Sequence, residues 1–233
     1  MGELRIFPVE GIGEVRQGDD VAALIGDAVE TSPYGLEDGD VVVVTHKIVS
    51  KAEGRVVPIA DEAAYRRLVE NESQAILRRR RDLVIAETPH GFICANAGVD
   101  RSNVAAGWAV LLPIDPDRSA NRIRRRLMRR FGVDVAVMVT DTFGRPWRRG
   151  LVDVAIGVAG MEPVADLRGQ VDDHGRRLEV TEVALADEIA AAADLVMGKA
   201  NRVPAAVVRG VAWTPADTGV RPLIRPPDED LFR

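Results

Sequence analysis

Four segments of this chain gather residue types able to do polar chemistry. The richest is Val135-Ala136-Val137-Met138-Val139-Thr140-Asp141-Thr142, followed at once by Phe143-Gly144-Arg145-Pro146-Trp147-Arg148-Arg149-Gly150. An apolar run of this kind delivers a carboxylate and two hydroxyls at its end, the hard oxygen donors that Mg²⁺ and Mn²⁺ select. Arginines follow directly, and guanidinium groups match phosphate or carboxylate. The plain alternative is an Asp–Thr turn with a solvated basic loop, because short patterns match often by chance.

The second segment, Ala95 to Asn103, adds Asp100 with amides and a hydroxyl. Asp100 and Asp141 could share one divalent ion or hold one each in a two-metal site. The same residue types also favour a simple Asx-turn. In the third, His46-Lys47-Ile48-Val49-Ser50-Lys51-Ala52-Glu53-Gly54-Arg55, cations just past a buried strand could grip phosphates; the alternative is a solvated strand end. The fourth, Met197-Gly198-Lys199-Ala200-Asn201, is not a Walker A loop: Ala193 stands where its first glycine belongs, and Ala200 replaces the Ser or Thr. No G-x-G-x-x-G opens a helix and no G-x-S-x-G elbow is present, so a nucleotide would be held by an unusual loop arrangement. Cys94 reads as buried and not nucleophilic.

The elements that must position these residues follow from periodicity and caps. Arg5 to Val9, Val41 to Val44, Leu83 to Ala86, Trp108 to Leu112, Val133 to Val139 and Ala205 to Val208 read as strands. Asp19 and Asp20 cap a helix through Val29, and Asp61 to about Arg80 reads as helical. Asp115-Pro116 opens a helix with the apolar stripe Ala120, Ile123, Leu127 and Phe131, and Gly132 ends it. Asp141 to about Glu179 reads as a long functional loop. Val183, Ala186, Ala190, Ala193 and Met197 form a last helical stripe that stops at Gly198. The final stretch, Trp213 to Arg233, is expected to lie on the surface. Interspersed strands and helices without strict βαβ alternation predict an α+β class with a mixed sheet and flanking helices, neither P-loop nor Rossmann.

Composition narrows the function classes. The net charge of −5 argues against a nucleic-acid binder. One cysteine excludes an internal disulfide and a cysteine metal cluster, and it fits the cytoplasm. No stretch reaches the ~18 apolar residues of a membrane span, and the N-terminus does not read as a signal peptide. The 233 residues suffice for one catalytic unit with a sizeable core.

Taken in order, GDVVVVTHKIVSKAEGRVV, GFICANAGVDRSNV, LLPIDPDRSA, VTDTFGRPWRRG, VTEVALADEIAAAADLVMGK and PAAVVRG resemble the coenzyme F420-0:γ-glutamyl ligase family, from about Pro8 to Gly210 and into the Asp-Leu-Phe-Arg tail. The resemblance implies GTP as co-substrate, L-glutamate and F420-0 as substrates, an acyl phosphate intermediate, Mg²⁺ or Mn²⁺, and K⁺. It makes Asp100, Asp141 and Thr142 metal ligands. It matches Ile12, Gly13, Glu14, Val15, His46, Lys51 and Asn103 to nucleotide-contacting positions, with Gly198 and Lys199 in a further nucleotide loop. Arg145 and Arg148 are assigned to anionic substrate as a hypothesis. His46 departs from the pattern, standing where relatives often carry a smaller polar residue. The family is similar to an intertwined two-subdomain homodimer, and no flavin-binding second domain is expected here. A related carboxylate–amine ligase, a non-catalytic nucleotide-binding regulator and a phosphohydrolase are the competing readings.

Overall fold

The computed structural model describes residues 3–231. Strand β1 (Arg5–Val9) leads through a loop to helix α1 (Val21–Thr31), whose Asp20 cap accepts from the backbone N–H groups of Ala22 and Ala23. Strand β2 (Val41–Thr45) follows, and all four of its valines are fully buried. Such a run marks a strand covered on both faces. The polar segment expected after β2 is instead the first turn of a short helix, α2 (His46–Ala52). Its apolar Ile48 and Val49 are buried, and this packing outweighs its polar composition.

Strand β3 (Val56–Pro58) precedes α3 (Glu62–Asn71), capped by Asp61. The helix expected through Arg80 stops early, because residues 75–80 form strand β4 (Ala75–Arg80) paired antiparallel with β5 (Leu83–Glu87). The link is a two-residue turn in which Arg81 adopts φ +54°. Pairing in the hairpin overrides the helical propensity of the arginine run. Strands β6 (Ile93–Ala95) and β7 (Trp108–Val110) follow.

Helix α4 (Pro116–Phe131) starts at Asp115, whose carboxylate accepts from the Arg118 N–H, and ends at Gly132 in the left-handed region. Strand β8 (Ala136–Arg145) then runs well past Asp141, turns through Pro146-Trp147, and returns as β9 (Arg148–Ala159). The long loop expected from Asp141 is therefore largely a hairpin. Its outer half mixes charged residues and glycines with Phe143, Leu151 and Val152, so it lacks the regular alternation that signals a strand. Short strands β10 (Ala165–Asp166) and β11 (Glu182–Val183) bracket an irregular excursion before α5 (Leu185–Met197) and β12 (Ala205–Arg209).

The main sheet has the order β1-β12-β2-β8-β9, and β2–β8 is the one parallel pair among the described strands. The sheet is mixed and the class is α+β. Helices α4 and α5 both pack on β8 and β9, and α5 reaches on to β12 and β1. A second, smaller cluster, Tyr65, Val69, Val84, Ala86, Ala97, Val99, Ala109 and Leu111, lies beneath α3 and β5. Residues 210–231 run along the surface, held by the Trp213 indole on the Gly39 carbonyl and by buried Val220. Phe232 and Arg233, the end of the Asp-Leu-Phe-Arg tail, lie outside the described residues.

Candidate active site at the carboxyl ends of a parallel strand pair

Strands β2 and β8 lie side by side, with Thr45 paired to Thr140 as their last pair, so His46 and Asp141 come next, His46 opening α2 while Asp141 continues in β8 against β9. This is the end of an open sheet at which ligands characteristically bind. The buried His46 ring places Nε2 3.3 Å from Asp141 Oδ1. That approach is close but makes no hydrogen bond, and Nε2 is left without a hydrogen-bond partner. Asp141 Oδ1 also accepts from the Thr142 backbone N–H at 2.7 Å.

The next residue of α2 reaches the other carboxylate. Lys47 Nζ lies 2.7 Å from Asp100 Oδ2 and donates to Ser102 Oγ, also at 2.7 Å. Ser102 closes a tight clamp, donating from its backbone N–H and its hydroxyl to the two Asp100 oxygens. Burial alone would raise the Asp100 pKa, but the Lys47 and Ser102 hydrogen bonds together hold it below the usual carboxylate range. Asn103, one residue on, is exposed with φ +57°. Consecutive residues of one helical turn thus bring Asp100 and Asp141 to the same end of the sheet.

Thr142 looks the other way, as strand alternation requires. Its hydroxyl donates to Asp153 Oδ1 at 2.5 Å, and Thr140 donates to Oδ2 at 3.3 Å. Lys199, from the loop after α5, lies 2.7 Å from Asp153 and 3.1 Å from Asp194, and also donates to the Thr142 hydroxyl. Burial would lower the Lys199 pKa, yet the two carboxylates raise it above its ordinary value. Gly198, at φ +60°, turns the chain out of α5 so that Lys199 can reach the strand. The structure therefore joins Thr142 to Lys199 and not, through side chains, to Asp141.

The remaining predicted residues fall into two places. In the loop after β1, Ile12 and Val15 are buried while Gly13 and Glu14 are exposed, and Lys51 of α2 pairs with Glu14 at 2.6 Å. Arg145 and Arg148 face each other across the turn of the β8–β9 hairpin, where Arg145 donates to the Arg149 carbonyl at 2.9 Å. Sequence reasoning passed over Asp153 and Asp194, read Lys47 as one of several cations that could grip phosphate, and counted Ser102 as a loop hydroxyl beside Asp100. Lys47 stood in a singled-out cationic run, whereas Asp153 lay in a stretch read as loop. Cys94 is buried, and burial together with the nearby Asp141 charge pushes its thiol up to about 12.

No group of three or more His, Cys, Asp or Glu side chains able to hold a metal gathers among the described residues. A hard divalent cation does not need one. Mg²⁺ commonly takes one or two carboxylates and completes its shell with phosphate oxygens and water. Asp141 and Asp100 are carboxylates of that kind, Asp100 being held by Lys47 and Ser102 in this structure.

The family described as F420-0:Gamma-glutamyl ligase matches residues 11–210. The chain belongs to this family. Among its relatives is the coenzyme F420:L-glutamate ligase of Methanothermobacter thermautotrophicus, 47% identical over 99% of both chains. Those of Methanopyrus kandleri and Archaeoglobus fulgidus are 45% and 39% identical, each over 99% of this chain and 98% and 96% of their own. All of the candidate site residues, from Ile12 to Lys199, lie within the matched span. No described helix is long and apolar enough to cross a membrane.

Proposed function

We propose that this protein is a GTP-dependent ligase that joins L-glutamate to the terminal carboxylate of F420-0 and then extends the product by γ-linkage. A carboxylate oxygen attacks the γ-phosphorus of GTP, the bridging β–γ P–O bond breaks, and GDP leaves. The glutamate nitrogen then attacks the acyl carbon, the bond to phosphate breaks, the amine proton passes to solvent, and an amide remains. The observation that carries this reading is the family match over residues 11–210, supported by the His46–Asp141 and Lys47–Asp100 pairs that the first turn of α2 makes just beyond the β2–β8 pairing.

The first step brings a polyphosphate against a carboxylate, both anionic, so it needs fixed positive charge. Mg²⁺ or Mn²⁺ at Asp100 and Asp141 supplies charge neutralisation and orientation of the phosphates. In this reading Lys47, which pairs with Asp100 here, would hold a phosphate oxygen of the nucleotide. Lys51 and the Ile12–Val15 loop line the nucleotide with Asn103, and Lys199 approaches from the Gly198 loop. Thr142 gives its only hydroxyl proton to Asp153, so it faces a ligand as an acceptor or as a donor of lone pairs to a cation. Arg145 and Arg148 hold anionic substrate at the hairpin tip. A monovalent cation such as K⁺, a homodimeric assembly and a cytoplasmic setting complete the reading.

Phosphate release tests it. Release from GTP is expected only when F420-0, L-glutamate and a divalent ion are all present. Release without the amine would instead make the protein a phosphohydrolase. GTP binding without any release would make it a regulator.

A further inference from the structure

We infer that His46 supplies a nitrogen ligand, through Nε2, to the divalent cation held by Asp141. This rests on the metal-dependent reading above and adds a residue that strand-end carboxylates alone do not predict. The imidazole is fully buried at the first position of α2. Its Nδ1 lies 3.4 Å from the Ser50 hydroxyl, one turn along the same helix. With the ring hydrogen on Nδ1 and directed at Ser50, Nε2 carries a lone pair. That lone pair lies 3.3 Å from Oδ1 of Asp141 and makes no hydrogen bond. Two electron-rich atoms so placed repel one another unless a proton or a metal ion lies against both, and with the ring hydrogen on Nδ1 that place falls to a metal ion.

The spacing suits such an ion. Two ligands at right angles around a metal about 2.1 Å from each stand about 3 Å apart. A partner hydrogen bond orients a metal-binding histidine, and Ser50 occupies that place here. An imidazole nitrogen also favours first-row transition ions over Mg²⁺, so His46 tunes which ion the site prefers.

Pulsed electron paramagnetic resonance on the full chain with Mn²⁺ and GTP tests the assignment. The protein is labelled with ¹⁵N-histidine, which separates ring nitrogens from those of guanine. A ¹⁵N coupling to Mn²⁺ is expected in the wild type. It should be lost in His46→Gln, where Mn²⁺ affinity falls about tenfold. Mn²⁺ binding that Asp141→Asn weakens, but without histidine coupling, would overturn the His46 inference and leave the metal site standing. Mn²⁺ binding indifferent to Asp141→Asn would overturn both. The wild-type spectrum decides even if a variant folds poorly.

Discussion

Neighbouring residues of a strand look in opposite directions, and this separates the work of Asp141 from that of Thr142. Asp141 meets His46 on the α2 side, while Thr142 meets Asp153 and Lys199 on the α5 side. Lys199→Met should therefore act on nucleotide binding and not on the carboxylate pair. One charge-assisted hydrogen bond is worth about 1.5–3 kcal/mol, so KM for GTP should rise roughly 10- to 100-fold with kcat little changed. Steady-state kinetics at varied GTP checks this; an unchanged KM would remove Lys199 from the nucleotide site. Cys94 offers a second check. With its thiol pushed up to about 12, it should resist thiol reagents at pH 8 in the native protein and react once unfolded. At this scale Asp100, Asp141, His46 and Lys51 stand out in the sequence by type and run, each beside a plain structural alternative such as an Asx-turn or a solvated strand end. Asp153 was not, because a carboxylate is recognisable as a clamp only when cross-strand pairing sets it opposite Thr142.

Helix α4 and strand β9 show how elements fix the site. Strand β9 is a sheet edge, and its outward N–H groups are taken by side chains: Ala155 donates to Asp187 of α5, and Val158 to Asp117 of α4. Burial raises the pKa of both carboxylates, partly offset by those hydrogen bonds. The helix can come so close only because residue 157 has no side chain. A Cβ there would stand 2.5 Å from the carbonyl carbon and oxygen of Pro116. Gly157→Ala should thus cost about 1–3 kcal/mol of stability by forcing α4 off the strand. Denaturant unfolding would read the loss, and an unaltered midpoint would contradict this account of the packing. Helix α4 was readable from Asp115, Pro116 and Gly132, because capping is local chemistry. The β8–β9 hairpin was not: Trp147, and not a glycine, takes the left-handed turn position at φ +62°, and apolar and polar residues do not alternate regularly along its outer half. Residues 75–80 misled for a related reason, since their partner strand β5 alone makes them extended.

For the whole molecule, a mixed five-stranded sheet buries the main core and holds its single described parallel pair where the candidate site opens. A second apolar cluster carries the loop that presents Asp100, whose backbone bridges to Val110 beside β7. The chain is negatively charged overall, with 36 acidic and 31 basic side chains, so anionic substrates must be met by locally placed cations. Lys47, Lys51 and Lys199 are the cations that the proposed function assigns to this task, and each pairs with a carboxylate. In the proposed function this assembly performs glutamyl transfer at Asp141. The most direct test is mass spectrometry of F420-0 incubated with the protein, GTP, L-glutamate and Mn²⁺, beside an Asp141→Ala control. The account predicts a product heavier by one or more glutamyl units, reduced at least about 10²-fold in the control. An unchanged mass with GTP still bound would contradict it.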